Sequence, residues 1–471
     1  MKISAPQHAV GSVSLIIAAF ILFSCSYRDE ARVSLHDSGE WGRYELWEPA
    51  GAVKDLVFFF SDKGGFKPID RDAASALTRL GAAVALVNTD VYLSRIDQSA
   101  DPKECLYLPG PVEWTSHYLQ QRLGLSRYRK PLLLGRAAGA GIVFALLAQG
   151  SSESFAGGMS VDFSSNIALQ HPLCDHPPVS QTAKGQMLPG STRLCGWWCA
   201  AFTEPPGRDT MEFVGLVSAE NSDVGPTISD PKTLPLLVSD VFGPVLEIKP
   251  NEENAAIAGA VVEVSRTSTR RILAVIFSGD GGWSDIDREL GNYLASHDIA
   301  VAGVNCLSYF WKRRTADEVG RNLEWLLKRY MNDWEMEHVV LIGYSFGANI
   351  LPSAYNILSG SMKNKVVQIS LLAPGRTADF EFYVSDWLGS GDSKNSLTLQ
   401  PEVAKIDKST LQCFYGEEEK DRSLCTDSVM SGAETIKTSG SHHFDGNYAK
   451  LGDTIITGAL GRIAHSKPMT R

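Results

Sequence analysis

His338-Val339-Val340-Leu341-Ile342-Gly343-Tyr344-Ser345-Phe346-Gly347-Ala348 runs from a continuous apolar stretch through a G-x-S-x-G turn into a helical pattern. Strands buried on both faces of a parallel sheet read as unbroken apolar runs of this kind. Glycines on either side of the serine permit a sharp strand-to-helix turn that lifts the central side chain above the sheet. The spacing therefore predicts a strand, an elbow and a helix, with Ser345 as candidate nucleophile. Pro352, inside the helical stretch, predicts a kink.

A G-x-S-x-G standing alone is also the pattern of a simple tight turn. Its meaning depends on whether a carboxylate and then a histidine follow, as serine hydrolysis on such a sheet requires. Leu411-Gln412-Cys413-Phe414-Tyr415-Gly416 reads as a late strand, Glu417-Glu418-Glu419-Lys420-Asp421 follows it, and Ser439-Gly440-Ser441-His442-His443-Phe444-Asp445 comes after. A serine hydroxyl attacks well only when an imidazole takes its proton and a carboxylate holds that imidazole in the right tautomer. His442 is the candidate base, with His443 as its alternate. The acid is Glu419 or Asp421, with Glu418 behind them, and the remaining acids of the run read as a solvated loop. Oxyanion donors are expected from the backbone N–H of Phe346 and from Asp280 or Gly281 in the turn Ser278-Gly279-Asp280-Gly281-Gly282-Trp283.

The same layout occurs earlier. Leu56-Val57-Phe58-Phe59-Phe60-Ser61-Asp62-Lys63-Gly64-Gly65-Phe66 answers the stretch Leu273 to Trp283 at an offset of 217 residues, and Ile69-Asp70-Arg71 answers Ile286-Asp287-Arg288 at the same offset. Where the later half has its G-x-S-x-G, the earlier half has Gly135-Arg136-Ala137-Ala138-Gly139, with the glycines kept and the serine replaced by Ala137. Strands alternating with helical patterns give an α/β fold with parallel sheets. The chain is read as two tandem α/β-hydrolase-like domains, 30–247 without a nucleophile and 254–471 with one, behind a signal peptide at 1–24.

Ala9 to Phe23 is a nearly uncharged apolar run, too short to span a bilayer comfortably but suited to a signal-peptide core. Its end, Leu22-Phe23-Ser24-Cys25, is similar to a bacterial lipobox, which makes Cys25 a candidate lipid anchor; plain secretory cleavage is the alternative. The mature chain is thus expected in the periplasm of a Gram-negative bacterium, tethered to the membrane if Cys25 is lipidated. Disulfides are the default in such a compartment, and Cys413 with Cys425, enclosing the acidic loop, is the favoured pair. Cys195-x-x-x-Cys199 lacks a second half with ligand spacing, so neither a metal nor a cofactor is expected. With 44 Lys+Arg against 54 Asp+Glu and a formal charge of −10, the chain is a poor candidate for gripping phosphate backbones, so direct nucleic-acid binding is not expected. Trp283, Tyr309, Phe310, Trp311 and Trp387 are read as core or as an acyl pocket, and Lys312-Arg313-Arg314 as wet surface or a phosphate contact.

Taken together, Ser278 to Trp283, Tyr309-Phe310-Trp311, Gly343 to Ala348, Cys413-Phe414-Tyr415-Gly416 with its acidic loop and His442-His443-Phe444 resemble the AcvB/VirJ family of exported bacterial virulence proteins. The resemblance is detailed over the second half and extends through the duplicated layout to nearly the whole chain. It implies an α/β-hydrolase fold, a periplasmic location and hydrolysis of aminoacyl-phosphatidylglycerol, notably the lysyl form, with Ser345 at the nucleophile position. It also implies an association with virulence and with secretion-system proteins, so an adaptor role stands as the second reading.

Overall fold

The structure is a computed structural model describing residues 31–38, 42–99, 105–151, 153–174, 180–182, 185–222, 224–225, 233–247, 257–380 and 397–465. The leader, Cys25 and Trp387 lie outside these residues. Two compact units divide the chain: Met1–Pro111, Pro131–Gln149 and Gly157–Lys249 form unit 1, and Val112–Lys130, Gly150–Ala156 and Pro250–Arg471 form unit 2. Two short segments of the first half are therefore counted with the second. Within unit 2, Trp311 Nε1 donates to the Leu125 carbonyl oxygen at 3.0 Å and Asn305 Nδ2 to Glu153 Oε2 at 2.9 Å.

Unit 1 is built on β1 (Arg32–Ser38), β2 (Gly42–Glu48), β3 (Asp55–Phe60), β4 (Ala82–Val87), β5 (Leu132–Arg136), β6 (Gly157–Val161) and β7 (Trp197–Ala201), in the order β1-β2-β4-β3-β5-β6-β7. β1 and β2 are antiparallel; from β4 onward the pairing is parallel. Every residue of β3 and β4 is buried, as the uniform apolar runs predict. α1 (Pro68–Arg79) and α2 (Ala138–Gln149) cover the sheet, and α2 buries nearly its whole length.

Unit 2 repeats the plan with β8 (Val261–Ser265), β9 (Ile272–Phe277), β10 (Ala300–Val304), β11 (His338–Tyr344), β12 (Val366–Leu372), β13 (Leu411–Gly416) and β14 (Glu434–Thr438), ordered β8-β10-β9-β11-β12-β13-β14. Within this sheet only β8 is antiparallel. Alternate residues of β9 enter opposite cores: Leu273, Val275 and Phe277 one way, Ile272, Ala274 and Ile276 the other. Helices α3 (Asp285–Ser296), α4 (Ala316–Asp333), α5 (Phe346–Ile357) and α6 (Tyr448–His465) make the outer layers, α4 and α5 over the first core, α3 and α6 over the second. α4 shows how sequence sets such a helix: Thr315 and Glu318 close a capping box, and Val319, Leu323, Leu326, Leu327 and Tyr330 form its buried stripe. α5 continues through Pro352 to Ile357 as one helix.

The duplication extends to backbone contacts. Ser61 N–H bonds the Val87 carbonyl at 3.0 Å, and Ser278 N–H bonds that of Val304 at 3.1 Å; Ala137 N–H reaches Val161 at 2.8 Å, and Ser345 N–H reaches Leu372 at 2.9 Å. The sheets differ at their ends. Unit 1 adds β1 at one edge, whereas unit 2 adds β14 at the other; beyond β7, among the described residues, only an isolated bridge from Trp198 to Val224 follows.

Candidate active site

The carboxyl ends of parallel strands are where such sheets present their functional loops. In unit 2 the turn 278–283 leaves β9, the elbow leaves β11, the acidic loop leaves β13 and the histidine loop leaves β14. Ser345 has φ 51° and ψ −112°, a conformation that a residue with a Cβ rarely adopts. The flanking glycines make it feasible. A Cβ at Gly347 would lie 2.2 Å from the Phe277 carbonyl oxygen, and one at Gly343 would lie 2.6 Å from that of Gly347.

His442 Nε2 stands 2.7 Å from Ser345 Oγ, and His442 Nδ1 stands 2.9 Å from Glu419 Oε2. With the imidazole proton on Nδ1, that nitrogen donates to the carboxylate and Nε2 accepts from the serine hydroxyl. Glu419 is mostly buried at 18% side-chain exposure, and Arg422 approaches its other oxygen at 3.6 Å. Its position is set by the short helical turn Glu417–Glu419 and by the loop bond of Cys413 to Cys425. A second disulfide, Cys105 to Cys174, lies in unit 1.

The alternates fall elsewhere. Asp421 contributes its backbone carbonyl oxygen to Arg376 Nη1 at 2.7 Å, and Glu418 is exposed, its N–H donating to the Gly440 carbonyl. His443 Nδ1 is 3.4 Å from the Tyr344 hydroxyl, which also lies 3.4 Å from the His442 carbonyl oxygen as a donor. Burial pushes the Tyr344 phenol well above its ordinary value, with Asp287 and Asp280 acting in the same direction, so the hydroxyl remains a donor. Tyr344 had no assigned role in the sequence; the only signal was its place directly before the serine.

Phe346 is the first residue of α5, so its N–H has no acceptor within the helix. Gly279 faces the elbow: a Cβ there would lie 3.8 Å from Ser345 Cβ. The Gly281 N–H, by contrast, is engaged by Asp280 Oδ1 at 3.1 Å. The aromatic candidates divide. Trp283, Tyr309, Phe310 and Trp311 are all buried; Trp283 occupies the space that a side chain at Gly303 would need, with a Cβ there 2.1 Å from Trp283 Cζ3. Phe310 nevertheless packs on Phe346 with ring centroids 5.0 Å apart, and on Phe380 at 6.4 Å, walling the backbone next to Ser345. Lys312 and Arg313 are exposed, and Arg314 donates to the Tyr309 carbonyl.

Unit 1 keeps the elbow and fills it. Ala137 has φ 49°, and a Cβ at Gly139 would lie 2.2 Å from the Phe60 carbonyl oxygen, as at Gly347. Asp62, at the position of Gly279, places Oδ1 3.5 Å from the Ala138 N–H and Oδ2 3.4 Å from Arg136 Nη1 and 2.7 Å from Lys67 Nζ. Burial alone would raise its carboxyl, but Lys67, the N–H groups of Lys63 and Ala138, and Arg136 together hold it below the ordinary value. Arg136 also bonds the fully buried Asp70 at 2.7 Å. The donor that corresponds to Phe346 thus faces the protein's own carboxylate.

Several solved structures are similar at low identity. Est1E from Butyrivibrio proteoclasticus, with ferulic acid bound, is 10% identical, with 43% of this chain and 95% of that one covered and a TM-score of 0.32. MenH from S. aureus is 11% identical, with 43% and 98% covered and a TM-score of 0.32. An esterase from Exiguobacterium antarcticum is 12% identical, with 42% and 94% covered and a TM-score of 0.31. At these scores the likenesses add nothing to the strand order and elbow already described. No curated protein matches the chain. Residues 271–462 match the family described as bacterial virulence protein (VirJ), so the stretch that holds Ser345, Glu419 and His442 carries the sequence pattern of the VirJ family.

Proposed function

We propose that this chain is an exported serine esterase that hydrolyses the aminoacyl ester of aminoacyl-phosphatidylglycerol, with the lysyl form favoured, releasing the amino acid and phosphatidylglycerol. The observation that carries the reading is the continuous chain from Ser345 Oγ through His442 to Glu419, at 2.7 and 2.9 Å. His442 takes the serine proton as Oγ attacks the ester carbonyl, and Glu419 stabilises the imidazolium that forms. The negative oxygen is received by the Phe346 N–H and by the turn after β9. Phosphatidylglycerol leaves with the proton from His442, and water activated by the same imidazole then frees the amino acid.

The lipid substrate is supported by the family match and by the aromatic wall of Phe310, Phe346 and Phe380 beside the nucleophile. The apolar leader, the Cys25 lipobox and two disulfides support a periplasmic, membrane-tethered location. Removing a cationic amino acid restores the lipid's negative charge and so changes the surface potential felt by cationic peptides. The second reading, an adaptor for a secretion machine, is favoured by a unit 1 that keeps the fold with Ala137 in the serine position.

Purified protein is incubated with vesicles containing lysyl-, alanyl- or unmodified phosphatidylglycerol, and released amino acid is measured for wild type and Ser345→Ala. Release by wild type alone is expected. Equal release by both proteins, or none by either, rejects the esterase; rescue of a deletion strain by the Ser345→Ala protein would then favour the adaptor.

A further inference from the structure

Resting on the esterase reading, we infer that the Asp280 carboxylate selects acyl donors carrying a free α-ammonium. In an aminoacyl ester the ammonium nitrogen is two bonds from the carbonyl carbon. A site that holds the carbonyl oxygen near the β9 turn therefore brings the ammonium to the same turn. Gly279 of that turn abuts the elbow, since a Cβ added to it would end 3.3 Å from the Tyr344 ring and 3.8 Å from Ser345 Cβ, and Asp280 is the next residue. Its side chain is half-buried, and Oδ1 accepts from the Gly281 N–H at 3.1 Å in a solvent-exposed bond, which leaves the carboxylate open to a ligand.

Unit 1 supplies an internal contrast. It retains the two glycines that end the turn, but Gly279 and Asp280 are answered by Asp62 and Lys63. The half with Ala137 at its elbow thus has its acid turned inward onto the Ala138 N–H and an exposed cation where the active half has Asp280. A lysine there would repel an ammonium. Acid and nucleophile occur together in unit 2 and are exchanged together in unit 1.

The test uses the full-length protein at about pH 6.5, below the ordinary α-amino value, with alanine p-nitrophenyl ester and its N-acetyl counterpart. Wild type is expected to favour the ammonium ester in kcat/KM. Asp280→Asn is expected to lose about tenfold or more of that ratio, the scale of a hydrogen bond to a charged group, and Asp280→Lys to lose more. Fluorophosphonate labelling of Ser345 in each variant verifies that the elbow is folded. A ratio unchanged in a labelled Asp280→Asn protein, or a wild type without preference, overturns the inference while leaving the esterase intact. Failure of wild type to cleave either ester overturns both.

Discussion

Ser345 Oγ and His442 Nε2 are 2.7 Å apart although 97 residues separate them in sequence. β11 delivers one and the loop after β14 the other, and Glu419, reached from β13, closes the set. Three strand ends of one sheet therefore converge on one hydrogen-bonded set.

Glu419→Gln is expected to lower kcat by about three to four orders of magnitude with little change in KM, because the amide leaves His442 in the wrong tautomer. Asp421→Asn is expected to leave kcat near wild type. His442→Gln is expected to abolish turnover and His443→Gln to retain most of it. Steady-state kinetics on a soluble ester checks all four.

Removing the bond between Cys413 and Cys425 by double substitution to serine is expected to cost about 3 kcal/mol of stability from the entropy of a short closed loop. Because that loop contains Glu419, kcat is expected to fall even where the protein is fully folded. Urea midpoints and kinetics at low denaturant separate the two effects.

His117 is buried, and desolvation pushes its imidazole down to about 3. Between the ordinary value of about 6.5 and that lowered one, the unfolded chain binds a proton that the folded chain does not. Stability contributed by the neutral ring is therefore present above about pH 6.5 and is lost as pH falls toward 3, by up to about 1.4 kcal/mol per pH unit. Unfolding midpoints across this range are expected to fall more steeply for wild type than for His117→Gln.

Ala137→Ser is expected to give no fluorophosphonate labelling at residue 137, even on a Ser345→Ala background. Asp62 faces the N–H that would receive an oxyanion, and Arg136 and Lys67 hold it there. Mass spectrometry of labelled peptides checks this.

The sequence revealed the two α/β halves because buried parallel strands leave continuous apolar runs and the elbow leaves paired glycines. Ser345, the acidic loop and His442-His443 were legible through the order that the chemistry imposes. The choice of Glu419 over Asp421 was not, since it depends on one short helical turn and on a backbone carbonyl claimed by Arg376. Trp283 looked as suited to a pocket as to a core until Gly303 gave its ring a place. Nor could local pattern reveal that Val112–Lys130 is counted with unit 2, because amphipathicity does not name the partner surface.

The Asp62 clasp means that a serine at 137 would not by itself give unit 1 an open elbow. An open elbow there would need a hydroxyl at 137 and a vacated cradle at 62, and among the described residues the sheet of unit 1 has no strand at the place of β14, from whose loop His442 comes. A second reactive hydroxyl in this chain therefore lies more than one substitution away.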